Sequence, residues 1–63
     1  MKTTEFGEPG TVSGTYRFDE HLGRWILFID CVDWMLVNDS FIFDSKQQMV
    51  EFVNKKYNVN FNF

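Results

Sequence analysis

Cysteine, histidine and proline occur once each in this chain, at Cys31, His21 and Pro9. A lone cysteine excludes an internal disulfide, and one Cys with one His cannot supply the four ligands of a structural zinc site. A 63-residue chain without such staples is below the size at which a single core is comfortably stable. Its routes to stability are a dense aromatic core or self-association. Basic residues are also scarce. Six Lys and Arg against nine Asp and Glu give a formal charge of −3. That balance argues against a nucleic-acid-binding face, and against an anionic membrane surface, since both need clustered cations. Long apolar runs are missing: the longest, residues 25–29, is far short of the ~20 residues a membrane span requires. The opening MKTTEFGEPG lacks the apolar stretch of an export signal, so the expected location is cytoplasmic.

Motifs for chemistry are absent as well. Gly7, Gly10, Gly14 and Gly23 do not form a phosphate loop. His21 has Ser13, Ser40 and Ser45 as conceivable nucleophiles, none in a recognisable motif. Cys31 has no Lys, Arg or His beside it and sits among apolar residues, which reads as a buried, inert thiol. Asn38-Asp39-Ser40 matches a glycosylation sequon but, with no export signal, reads as a turn. The expectation is a protein without enzymatic activity, cofactor or metal.

What the chain does have is concentrated in residues 24–37, RWILFIDCVDWMLV, which hold both tryptophans. Apolar side chains occupy odd and even positions alike, the pattern of a strand covered on both faces. Fully extended, this stretch would reach about 45 Å, whereas a domain of this length has a radius of gyration of about 11 Å. It must therefore bend. Asp30 and Asp33 interrupt the apolar run, so a bulge or tight bend is expected between them rather than a full hairpin turn.

The remaining segments arrange themselves around this one. Residues 1–10 read as a flexible arm and 11–63 as a single small domain. Residues 11–19 alternate, with Val12, Gly14, Tyr16 and Phe18 on one side, and Gly14 implies a closely approaching neighbour. Glu20-His21-Leu22-Gly23 forms a turn into the central strand, and Asn38-Asp39 forms a second turn. Ser45 and Gln48 fit the start of a helix over 45–57, with Met49, Val50, Phe52, Val53 and Tyr57 along one face and Asn58 as its stop. Residues 58–63 alternate Asn with apolar side chains and read as a short last strand, whose free edge also suits pairing into a homodimer. The expected fold is α+β. A three-stranded antiparallel meander has a long bent central strand, one helix packs on it, and a terminal strand completes a β-β-β-α-β order. Phe18, Ile26, Phe28, Met35, Met49, Phe52 and Val53 are its expected core.

Three aromatic-x-aromatic triplets, Tyr16-Phe18, Phe41-Phe43 and Phe61-Phe63, place paired rings on one strand face. They read as core, or else as a stacking platform for a single-stranded nucleic acid. The order Gly23-Arg24-Trp25, Trp34, Phe43-Asp44-Ser45 and Phe52 resembles a class of plant DNA-binding domains built from three strands and a helix. This chain lacks the arginines those domains carry on the sheet, so the resemblance implies element order alone.

From residue 25 to residue 45 there are four acids, Asp30, Asp33, Asp39 and Asp44, and no Lys or Arg. With aromatic side chains to anchor an interface, this suggests a small acidic protein-binding module directed at a basic surface. The expected role is an adaptor or inhibitor of a larger, nucleic-acid-processing protein, by analogy with phage-encoded regulators of host enzymes. Asp30, Asp33, Trp34, Asp39 and Phe41 are the candidate partner-binding residues. The alternative is a single-stranded nucleic-acid binder using Tyr16, Phe18, Trp25 or Trp34.

Overall fold

The computed structural model describes residues 2–63; Met1, the first residue of the expected arm, lies outside them. The architecture is α+β, a four-stranded antiparallel sheet followed by one helix. The strands are β1 (Thr4–Glu8), β2 (Val12–Asp19), β3 (Arg24–Val32) and β4 (Met35–Phe43), and the helix is α1 (Lys46–Tyr57). The sheet is a simple meander in the order β1-β2-β3-β4. Residues 4–8, expected within the arm, form the edge strand β1. Phe6 lies opposite Gly14 and packs among Tyr16, Phe61 and Phe63, which gives an otherwise polar segment a reason to join the sheet.

The first long hairpin follows the alternation in the sequence. Asp19 pairs with Arg24 across the four-residue turn, Gly23 adopts φ 66°, and its amide donates to the Asp19 carbonyl at 2.8 Å. The Asp19 carboxylate holds the turn together. Oδ1 accepts from the His21 and Leu22 amides at 2.9 and 3.0 Å, and Oδ2 from Arg17 Nη1 at 3.1 Å. These donors, the Leu22 amide foremost, hold its carboxyl below the ordinary 3.8. A folded-state pKa below the unfolded one contributes stability above the ordinary value, and that stability is lost as pH falls through the folded value. Denaturant melts of wild type and Asp19→Asn from pH 6 to pH 2 test this. The wild type should be the more stable near neutrality, with the gap closing in acid; a gap independent of pH refutes the role.

The second hairpin departs from expectation. A bulge does form at Asp30, where the β2–β3 and β3–β4 registers both shift. The chain then reverses fully at Asp33-Trp34, a two-residue loop between the paired Val32 and Met35. Both loop residues are left-handed, with φ 52° and 65°, the pattern of a type I′ hairpin turn. Asp tolerates that region; Trp does so only under constraint. The constraint comes from the β1–β2 turn. Trp34 N–H donates to the Pro9 carbonyl at 2.8 Å and Asp33 N–H to the Thr11 carbonyl at 3.1 Å. The Trp34 ring lies over Gly10, about 3.0 Å from where a Cβ would sit. Asn38-Asp39, expected as the turn, instead continues through β4, in a register that sets Phe41 opposite Leu27 and Phe43 opposite Trp25. The reversal at 33–34 resolves the length problem, and the radius of gyration is 11.1 Å.

The core lies between the sheet and α1. Val12, Leu27, Ile29, Met49 and Val53 are essentially inaccessible to solvent. β3 is covered by the helix on one face only. Ile26 and Phe28, on the other face, are screened by cross-strand neighbours such as Arg17, Thr15, Ser40 and Ile42. Of the expected core, Ile26, Met49 and Val53 are buried, and Phe28 and Phe52 are half-buried. Phe18 and Met35 are exposed by 41% and 69%, because each sits beside a turn at the end of its strand.

The helix begins and ends on local signals. Ser45 Oγ accepts from the Gln48 amide at 3.1 Å, and Asn58 stops the helix at φ 54°. The last residues do not form the expected strand. Instead, Asn54 takes the place of a strand neighbour for one residue: its Nδ2 donates to the Phe61 carbonyl at 3.1 Å, and its Oδ1 accepts from the Phe61 amide at 2.8 Å. This pins the segment over the helix-side face, where Phe63 stacks on Tyr16 at 4.8 Å and Phe61 meets Phe6 edge-on at 5.7 Å. Asn54→Ala should destabilise the protein by about 1–3 kcal/mol, the value of two net hydrogen bonds. Chemical denaturation measures it, and a change under about 0.5 kcal/mol would show the pair contributes nothing.

Candidate docking surface

The expected partner-binding residues separate into four places. Asp33 and Trp34 form the exposed β3–β4 turn, with the indole 76% exposed. Asp30 is the bulge residue of β3. It borders an open concavity of about 370 Å³ together with Glu5, Pro9, Ser13 and Thr15. These two places belong to one end of the sheet, because Pro9 links them. Its carbonyl accepts from Trp34 N–H and from Cys31 Sγ at 3.5 Å, and the ring borders the concavity beside Asp30.

Asp39 stands apart, in the middle of β4 opposite Ile29. It is exposed, but close enough to Tyr57 that its charge, after burial of the phenol, helps push the Tyr57 hydroxyl above its ordinary 10.0. Phe41 faces inward, with its ring centroid 4.7 Å from that of Phe52 beneath the helix. It therefore supports the sheet–helix contact instead of presenting a surface.

Sequence reasoning missed the apolar residues on the outside of β4. Met35 is 69%, Leu36 89% and Ile42 55% exposed. Trp34, Met35 and Leu36 are three consecutive exposed apolar side chains entering the strand. The run Trp34-Met35-Leu36-Val37 looks like core because it is continuous. Only the position of the turn shows that Val37 alone among them packs inward.

The sheet aromatics lie mostly on the helix-covered face. Tyr16 and Trp25 are half-buried, Tyr16 is stacked on Phe63, and Lys46 Nζ lies 5.8 and 5.7 Å from their ring centroids. Phe18 packs edge-on against Trp25 at 5.4 Å. Among the described residues no group of three or more His, Cys, Asp or Glu is arranged to hold a metal ion. Nor does any helix there have the length and apolarity to cross a membrane.

This is a small α+β fold with an acidic, Trp-bearing hairpin end and an edge strand, β4, that exposes Met35, Leu36 and Ile42 on either side of a polar Asn38-Asp39-Ser40 middle. No protein-family model, curated relative or solved structure matches the chain.

Proposed function

We propose that the protein is an acidic protein-binding module, an adaptor or inhibitor that occupies a basic surface on a larger protein. The observation that carries this reading is the β3–β4 hairpin end. There an exposed indole and two exposed aliphatic side chains adjoin Asp33, with Asp30 nearby, in a stretch of sequence containing no cation. Tryptophan is the residue type most enriched at interface hot spots. The Asp33 and Trp34 amides are held by the Thr11 and Pro9 carbonyls, so less backbone freedom remains to be lost on binding. The acids steer approach of a cationic surface and raise the association rate more than the affinity. A basic groove of a nucleic-acid-processing enzyme is the kind of surface this complements.

The test is affinity capture from host lysate with and without nuclease, followed by measurement of the purified pair. One stoichiometric protein retained after nuclease, and bound about 30-fold more weakly by Trp34→Ala, supports the proposal; that loss corresponds to a hot spot of ~2 kcal/mol. Asp30→Lys with Asp33→Lys should slow association and remove most of its salt dependence. If instead no protein is retained and a labelled single-stranded oligonucleotide binds at micromolar levels with salt-dependent affinity, the nucleic-acid reading replaces this one.

A further inference from the structure

Of the features that ordinarily keep a sheet edge from pairing, the outer edge of β4 carries one, the charge of Asp39 at its centre. β4 is last in the strand order, so its outer row of amides and carbonyls faces no strand among the described residues. It is nine residues long, MLVNDSFIF, with no Lys, Arg or Pro, the residues that commonly block edge-to-edge pairing. The opposite edge differs. β1 has five residues, is interrupted by left-handed Gly7, and its Phe6 is covered by Phe61 and Phe63. β4 also keeps its alternation past the irregularity on its inner side. Val37, Phe41 and Phe43 pack toward the core, while Leu36 and Ile42 stand exposed on the other face.

Charge decides what this edge can accept. Asp39 is exposed at its centre. A second copy pairing antiparallel about a two-fold axis through Asp39 would set two carboxylates directly opposite, about 5 Å apart at Cβ, which is destabilising. Centring the axis on Asn38 or Ser40 would still leave the two Asp39 side chains as diagonal neighbours with no cation in either strand. We infer that β4 is a docking edge for an extended segment of a basic partner protein. That segment adds a fifth strand, placing Lys or Arg opposite Asp39 and apolar residues opposite Leu36 and Ile42. Leu36 and Ile42 each lie three positions from Asp39, so the complementary segment has a cation flanked by apolar residues three positions to either side. The odd spacing puts the cation on one face of the new strand and the apolar pair on the other. Main-chain hydrogen bonds supply affinity and the three side chains supply selectivity, the general mode of strand addition to a sheet edge. This inference rests on the protein-binding reading above and gives it a geometry.

The probe is a capped nine-residue threonine peptide with lysine at its centre and valine three positions to either side, titrated to millimolar concentration against isotope-labelled protein. Amide shifts and slowed amide exchange at alternate residues of β4 are the expected result. Methylating the peptide's backbone nitrogens at alternate positions keeps its charge and removes its strand pairing, and should weaken binding at least about tenfold. Replacing its lysine with glutamate should weaken binding by up to about fivefold, and Asp39→Lys should reverse that preference. Asp39 is exposed, so the variant keeps the fold, which its amide spectrum verifies. Three results overturn the inference. One is no shift in β4 at millimolar peptide. Another is protection of β4 that grows with protein concentration without peptide, which assigns the edge to a second copy. The third is equal binding of the methylated peptide with shifts at Asp30, Asp33 and Trp34; that outcome removes strand addition and leaves the acidic hairpin end as the binding surface.

Discussion

Gly14→Ala should abolish the folded state. A Cβ at this position would sit 1.9 Å from the Phe28 carbonyl oxygen, 2.9 Å from its carbon and 3.1 Å from Ile29 Cα. All three are backbone atoms of the paired strand, so no rotamer change relieves the overlap. β2 and β3 would have to separate at the register shift beside Asp30, next to Ile29 and Val12 in the core. At roughly 0.05–0.15 kcal/mol per residue, a domain of this size has only about 3–9 kcal/mol of stability, and opening its central ladder is expected to exceed about 4 kcal/mol. Thermal melts by circular dichroism should show no cooperative transition for this variant. Gly23→Ala is the control. Gly23 is left-handed at φ 66° with no atom within 4 Å of its Cβ direction, so only the backbone penalty of about 1–2 kcal/mol applies. A Gly14→Ala protein melting near the wild type would refute the packing described for β2 and β3.

Removing residues 59–63 should destabilise the domain by about 3–5 kcal/mol. The segment carries Val59, Phe61 and Phe63, all partly buried against the core. Burying a large apolar side chain completely contributes about 1.5–3 kcal/mol, and these three are covered in part. Ring contacts add to this: Phe63 with Tyr16 at 4.8 Å and with Phe6 at 4.9 Å, and Phe61 with Phe6 at 5.7 Å. Such pairs contribute about 0.5–1.5 kcal/mol each beyond burial. Loss of the segment also uncovers Phe6, so β1 should fray first. Hydrogen exchange should therefore show Thr4–Glu8 amides losing protection while Leu27 and Ile29 retain theirs. Uniform loss across the sheet, or no loss at all, would contradict this order.

The helix and the first long hairpin were legible because their determinants are local. The Ser45 hydroxyl meets an amide three residues on, Asn58 takes the left-handed position at the helix end, and Gly23 closes a four-residue turn. Each acts within a few positions of chain, and periodicity supplies the rest. Gly14 was legible too, since a glycine at an inward strand position implies a close neighbour before that neighbour is known.

The second hairpin and the final segment depended on partners distant in sequence. Asn38-Asp39 has better turn chemistry than Asp33-Trp34, yet the chain turns at the latter. There the Pro9 and Thr11 carbonyls accept its amides and Gly10 leaves room for the indole; the register also brings Phe41 and Phe43 under Phe52. Residues 58–63 alternate like a strand, but the Asn54 side chain captures Phe61 and the rings find Phe6 and Tyr16. The candidate surface shifted for the same reason. Acid placement could be read from the sequence alone, whereas Phe41 turning inward and Leu36 and Ile42 turning outward followed from where β3 reversed. By itself the sequence determined the α+β composition, the helix with both ends, the turn at Gly23 and the acidic middle, all through interactions a few residues apart. Tertiary structure decided the second reversal, the β1 edge and the path of the last residues, because a strained turn and a strand-like tail settle by contacts across the fold.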